Sequence, residues 1–91
     1  MKLLEVHQLE KLCKENNSVK MEAFLLPLEE AGTHVLMLKR ERDSFMVRIK
    51  HHNRPRVFKT VTPALLISKR CGLNSIVIKL DKESVDLPAS A

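Results

Sequence analysis

The stretch SFMVRIKHHNRPRVFKT, residues 44–60, decides the fold. Its first half alternates apolar and mainly basic side chains at the two-residue period of a strand with one buried face. The apolar positions Phe45, Val47 and Ile49 are expected in the core, which leaves Arg48 and Lys50 facing water. Asn53-Arg54-Pro55 carries turn chemistry, so residues 56–60 are predicted to return as the hairpin partner.

Upstream of this hairpin the chain predicts two more strands. Residues 33–40 read as a central strand, and residues 21–26 form an apolar run that Pro27 confines to a sheet edge or a strand end. A helix over residues 21–28 is the alternative. Downstream, residues 75–80 are rich in β-branched side chains and predict a final short strand.

Two segments have helical periodicity. Residues 1–16 place Leu3, Val6, Leu9 and Cys13 along one side of an amphipathic helix, which Asn16-Asn17-Ser18 should end. A second helix is predicted over residues 62–71, with Thr62 as its N-cap, Pro63 in its first turn and Gly72 closing it.

That second helix should cover the sheet. The side expected to do so carries Ala64, Ile67 and Cys71, and residues Ile76 and Ile78 of the last strand are expected in the same core.

The element order α-β-β-β-β-α-β predicts an α+β fold, a small antiparallel sheet packed by one or two helices. Residues 1–80 should form a single domain and residues 81–91 a flexible polar tail. Because a 91-residue chain buries only about two-thirds of the surface that its unfolded form exposes, dimerisation is a plain way to add buried apolar area.

Composition places the chain among globular proteins, with 44% hydrophobic and 30% charged residues. No apolar run approaches the roughly 20 residues that a membrane span requires. With no signal peptide recognised, we expect a cytoplasmic protein whose Cys13 and Cys71 are buried thiols rather than a disulfide.

Enzymatic and cofactor signatures are weak, so we expect a non-enzyme with no catalytic residues, no metal and no cofactor. His51 and His52 are adjacent and would point to opposite faces of a strand, and Gly32 and Gly72 each serve a turn rather than a phosphate loop. His7 and His34 are interpreted as structural positions. A Cys-His or Ser-His pair assembled in space would still make a small enzyme, which is the third alternative.

Positive charge is concentrated in one region. Residues 39–59 hold eight basic and two acidic side chains, whereas the rest of the chain holds eight basic and nine acidic ones. Arginine suits phosphate through its planar fork, and a two-stranded ribbon fits the major groove of duplex DNA. The candidate nucleic-acid-binding residues are Arg42, Arg48, Lys50, His52, Arg54, Arg56 and Lys59.

The same residues allow a plainer explanation, since exposed strands are commonly charged to prevent aggregation. Stacking on unpaired bases is disfavoured, because the only aromatic residues are three Phe.

Residues 44–72, which continue from the hairpin through VTPALLISKRCG, resemble the strand-turn-strand-helix of the arm-type DNA-binding domains of phage-family integrases. The resemblance implies a three-stranded sheet, backed by a helix, that reads the major groove through Arg48, Lys50, Arg54 and Arg56. Those domains usually stop after the helix, whereas this chain adds residues 75–80. Residues 56–80 also resemble the C-terminal part of small accessory proteins of plasmids and other mobile elements.

The function expected from these patterns is that of a non-catalytic DNA-binding accessory or regulatory protein, of a mobile element, that binds duplex DNA. The alternative is a protein–protein interaction module or dimeric adaptor, in which the basic strands only maintain solubility. A homodimer or a protein partner fits either function, and no membrane partner is expected.

Overall fold

Five strands and two helices form the part of the chain that the computed structural model describes, residues 1–15 and 21–80. In chain order they are β1 (Lys2–Leu4), α1 (Val6–Glu15), β2 (Glu22–Pro27), β3 (His34–Arg40), β4 (Asp43–Val47), α2 (Val61–Arg70) and β5 (Val77–Ile78). Each helix has ten residues, and none in the described ranges is long and apolar enough to cross a membrane. The expected tail, 81–91, and the expected helix stop, 16–18, lie outside the described residues.

The strands form one mixed sheet in the order β1-β4-β3-β2-β5. The central pairs β2–β3 and β3–β4 are antiparallel, whereas the outer pairs β1–β4 and β2–β5 are parallel. The α+β class is confirmed, but the purely antiparallel sheet is wrong. Parallel neighbours are joined by a long crossover connection. The local periodicity of a segment does not indicate which distant strand it will pair with.

The first element differs from the continuous helix predicted for residues 1–16. Residues 2–4 extend alongside β4, with Leu4 opposite Val47, and the helix begins only at Val6. The Gln8 side chain accepts a hydrogen bond from the Glu5 backbone N–H at 2.8 Å, one half of a capping box. The apolar residues that predicted one helix over residues 1–16 therefore belong to two elements, a short strand and a helix.

Both helices pack on one face of the sheet, where the main core lies. Among the fully buried side chains there are Leu9 of α1, Leu25, Leu36 and Leu38 of β2 and β3, Val47 of β4 and Ala64 of α2. A second apolar cluster, centred on Leu26, Val35 and Met46, occupies alternate positions of the same three strands and thus the opposite face.

The core predictions hold where the strands are long and fail at their ends. Phe45, Val47 and Ile67 are buried as expected, but Ile49 and Ile78 are 40% and 43% exposed and Ile76 is half-buried. Strand β4 ends at Val47, so the alternation no longer applies at Ile49. Strand β5 has only two residues at the sheet edge, which leaves Ile78 accessible.

Helix α2 matches its predicted position, but its N-cap is Thr60 rather than Thr62. Thr60 has extended backbone angles and no side-chain capping bond, and the helix starts one residue earlier than predicted. At the other end Gly72 has φ +81°, as predicted for a closing glycine. Its N–H bonds the Lys69 carbonyl, and the Leu73 N–H bonds the Ser68 carbonyl, which completes a Schellman motif.

The two cysteines meet between the helices as free thiols. Cys71 is buried at the end of α2, and Cys13 of α1 is half-buried and hydrogen-bonded to it. Burial raises the pKa of both thiols, that of Cys71 to about 12, and the proximity of Cys13 adds to the shift of Cys71. Both cysteines are free, as expected, but only Cys71 is buried, because Cys13 lies at the edge of the core and is half-buried.

Candidate nucleic-acid interface

The candidate interface is built where β1 and β4 end side by side. Because these strands are parallel and in register at Leu4 and Val47, the next residues, Glu5 and Arg48, emerge together. The Arg48 backbone N–H donates to the Leu4 carbonyl at 2.9 Å, and Arg48 Nη2 donates to Glu5 Oε2 at 2.7 Å. The two side chains are only 24% and 10% exposed, so they form a largely buried ion pair.

This ion pair corrects the expected position of Arg48. The alternation along β4 predicted a free, water-facing guanidinium, but the strand ends before Arg48 and the chain bends toward β1. Part of the charge of Arg48 is therefore already compensated by Glu5.

Beyond Val47 the chain leaves the sheet as a short hairpin, residues 47–56, which we call the basic hairpin. Its backbone is closed by hydrogen bonds from the Arg56 N–H to the Val47 carbonyl, 2.8 Å, and from the Ile49 N–H to the Arg54 carbonyl, 3.0 Å. At its tip His51 has φ +63°, a left-handed conformation that His adopts more readily than most side chains.

The return arm of this hairpin is not the continuous strand expected for residues 56–60. It makes two isolated bridges instead, one between Arg48 and Pro55 and one between His34 and Phe58. Pro55 lacks a backbone donor, which limits ladder formation at that point. The chain then enters α2 directly.

The basic hairpin presents cations to solvent. Lys50, His52, Arg54 and Arg56 are all exposed, and residues 48–60 contain no Asp or Glu. The Arg56 guanidinium lies 5.0 Å from the centroid of the Phe58 ring, a cation–π contact that orients it. Within residues 1–15 and 21–80, no carboxylate lies at ion-pair distance from Lys50, Arg54 or Arg56.

The other candidate residues divide between the two ends of the sheet. Lys59 is exposed immediately after Phe58, which pairs with the first residue of β3, so it lies at the hairpin end. Arg42 precedes β4 and Arg48 follows it, and six extended residues span roughly 20 Å. Arg42 is therefore at the far end, beside Arg40, which pairs with Asp43 at 3.5 Å.

Beneath the basic hairpin lies an open cleft of about 440 Å³, which we call the basic cleft. The hairpin forms one wall, and the start of α1 and the end of α2 form the other. Its polar lining is Glu5, His7, Arg48, Lys50, Arg56 and Arg70, and its apolar lining is Val6 and Ile49. Four permanent cations thus face one carboxylate.

Sequence reasoning missed the wall that the helices supply. Glu5 and His7 fell within the helix predicted for residues 1–16, and Arg70 was not among the candidate nucleic-acid-binding residues. In the structure Arg70 Nε lies 2.5 Å from Glu10 Oε1 of α1. No local sequence pattern predicts such a contact between residues that are 60 positions apart.

No group of three His, Cys, Asp or Glu side chains within residues 1–15 and 21–80 could hold a metal ion. Comparisons with known proteins found no matching family model, no matching curated protein and no matching solved structure.

Proposed function

We propose that this protein is a non-catalytic DNA-binding accessory or regulatory factor that contacts duplex DNA through the basic hairpin. The observation that carries the proposal is the hairpin itself, whose two arms are joined by an isolated bridge between Arg48 and Pro55 and which exposes Lys50, Arg54 and Arg56 with no acidic residue. A hairpin can enter the major groove, and Arg side chains recognise phosphates and guanine edges.

The placement of the two helices supports the same proposal. Helix α1 starts directly after β1, and α2 starts three residues after Phe58, so both begin at the hairpin end of the sheet. The partial positive charge at the N-terminus of α1 adds to the field of the hairpin, whereas α2 lines the cleft with Arg70 of its last turn. The resemblance of residues 44–72 to integrase arm domains accords with DNA as the partner and with a mobile element as the source.

A salt-titrated binding assay on random-sequence duplex DNA tests this function. Each phosphate neutralised by Lys or Arg releases counterions, so the logarithm of the binding constant should fall linearly with the logarithm of salt concentration. We expect a slope of about −3 to −5 if the exposed hairpin cations and Lys59 engage phosphates. Absence of binding at low salt would reject duplex DNA as the partner.

A protein-interaction module or dimeric adaptor is the second candidate, and exposed apolar side chains favour it. Leu65 and Leu66 of α2 are 43% and 57% exposed, and Val77 of the edge strand is 43% exposed. Between α2 and residues 73–76 runs a groove of about 340 Å³, which Leu65 helps to line. Sedimentation equilibrium over a wide concentration range tests this second candidate. A stable dimer that Leu66→Lys leaves intact would remove support from this surface.

A further inference from the structure

The basic cleft is lined by an arginine, Arg48, that the protein engages at one nitrogen of its guanidinium. Arg48 donates through Nη2 to Glu5, but its Nε is buried and has no hydrogen-bond partner among the described residues. Buried donors are almost always paired, and a guanidinium with one edge engaged still offers donors to a second acceptor. Because that Nε is buried, an acceptor from outside the chain can reach Arg48 only through the rest of its side chain, which is 24% exposed and lines the cleft.

The other cations of the cleft define the charge of that acceptor. Arg56 is oriented by Phe58 and has no carboxylate partner in residues 1–15 and 21–80, and the same holds for exposed Lys50 on the opposite arm of the hairpin. Glu5 and Glu10 already compensate Arg48 and Arg70. The uncompensated excess is therefore cationic, and an oxyanion with several acceptor oxygens suits it.

The shape of the cleft indicates more than a bare ion. A volume of about 440 Å³ lies within the range of small-ligand sites and exceeds what one phosphate fills. Val6 and Ile49 give the cleft an apolar wall, against which the carbon skeleton attached to a phosphate can pack.

We propose that the basic cleft binds a phosphate group, held by Arg48, Lys50 and Arg56, with the attached sugar against Val6 and Ile49. This inference rests on the proposed function for the source of the phosphate, which is the backbone of a duplex lying on the basic hairpin. A phosphate seated in the cleft fixes the register of the duplex relative to the hairpin, because it is held in a defined position rather than by diffuse attraction. A free phosphorylated small molecule presents the same chemistry.

Nuclear magnetic resonance on the whole chain tests the cleft directly. A buried Arg Nε–H exchanges slowly enough with water to give its own signal, so Arg48 reports on its neighbourhood. Inorganic phosphate, added at constant ionic strength against chloride, should shift the Arg48 Nε–H signal and the backbone signals of Val6 and His7. Arg56→Ala should weaken phosphate binding about tenfold, the loss of one strong charge-assisted contact.

The matched control is Arg54→Ala, which removes the same charge from the same hairpin but from a residue that does not line the cleft. Its phosphate affinity should stay within about twofold of the wild type. Equal losses in the two variants, or no shift at Arg48 in the wild type, would overturn the inference in favour of diffuse attraction.

Two further additions identify the source and separate this inference from the proposed function. A short duplex that produces the phosphate-type shift at Arg48 supports the backbone as source, and a nucleoside monophosphate that shifts Arg48 when duplex does not supports a small molecule. If DNA binds but neither DNA nor phosphate shifts the Arg48 signal, the phosphate site in the cleft is rejected and the proposed DNA-binding function is retained. If phosphate binds but DNA does not, the phosphate site is retained and the DNA-binding function is rejected.

Discussion

Arg48 shows how one residue can belong to a DNA-facing pattern in the sequence and to an internal pair in the fold. Its side chain is only 24% exposed, and its strongest contact is the 2.7 Å hydrogen bond to Glu5. That bond ties the end of β4 to the start of α1 across 43 residues of chain. Arg48 therefore stabilises the base of the basic hairpin through Nη2, which leaves only the rest of its guanidinium for a ligand, whereas Lys50 and Arg54 have no carboxylate partner in residues 1–15 and 21–80.

Arg48→Ala should lower the free energy of unfolding by about 1–3 kcal/mol, because Glu5 is left with its carboxylate buried and unpaired. Arg54→Ala, an equal change of charge at an exposed position of the same hairpin, should stay within about 0.5 kcal/mol. Urea denaturation followed by far-ultraviolet circular dichroism measures both, since the chain has no Trp. Similar losses in both variants would mean that the Glu5–Arg48 pair contributes nothing specific.

Cys71 predicts a loss of stability in alkali. Burial holds the pKa of its thiol at about 12 against an ordinary value of 9.0, so the folded state retains this proton more tightly than the unfolded chain does. The resulting stabilisation is complete below about pH 9 and is lost as the pH rises from there toward 12.

Cys71→Ser removes the titrating group, so the difference in unfolding free energy between wild type and variant should shrink over that pH range. Denaturation at pH 8 and pH 10.5 under reducing conditions measures it. A difference that stays constant between these pH values would contradict the assignment.

At the scale of elements, the sequence predicted the strands and the helix that have a local periodic pattern. It missed the strand that is defined by pairing with a distant part of the chain. Strands β2, β3 and β4 and helix α2 each have several residues of consistent periodicity or a capping signal, and all four occur near their predicted positions. Strand β1 has three residues, and pairing with β4 defines it. Nothing in Lys2–Leu4 distinguishes that strand from the first turn of a helix.

The same distinction separates the predicted parts of the interface from the missed ones. The exposed hairpin cations follow from the turn at residues 53–55 and the absence of acids around it, so these residues of the proposed interface could be chosen from the sequence. Glu5 and Arg70 enter the site only because a parallel strand pair and two packed helices bring them there. Such long-range pairings depend on the whole fold and leave no short-range pattern.

Helix α2 provides a test of which side covers the sheet. Ile67→Ala should cost about 2–4 kcal/mol, because Ile67 is 5% exposed within the main core and its truncation leaves a cavity. Leu66→Ala, one residue away and 57% exposed, should change stability by less than about 0.5 kcal/mol. Chemical denaturation of the two variants measures their losses of unfolding free energy and thereby tests the orientation of the helix. A larger loss for Leu66→Ala than for Ile67→Ala would mean that Leu66 faces the core.

Over the whole molecule, the fold divides the basic residues that are close together in the sequence between the two ends of the sheet. The excess within residues 39–59 is split by β4, with Lys39 and Arg42 at one end of the sheet and the basic hairpin with Lys59 at the other. Both helix N-termini lie at the hairpin end. The positive charge at the hairpin end is thus confined to a smaller region than the linear sequence indicated, and its position can be tested against that of the far end.

This division makes a charge-matched experiment possible, in which two variants carry the same net charge but lose it at opposite ends of the sheet. Lys50→Ala with Arg54→Ala should flatten the log-salt slope of duplex DNA binding by about two, because two phosphate contacts are removed. Lys39→Ala with Arg42→Ala should leave the slope nearly unchanged and weaken affinity only through the lower overall charge. All four side chains are exposed, so the stability of either variant should stay close to that of the wild type. If both variants flatten the slope equally, attraction is spread over the surface and the basic hairpin is not the contact. If only the second variant does so, DNA lies at the far end of the sheet.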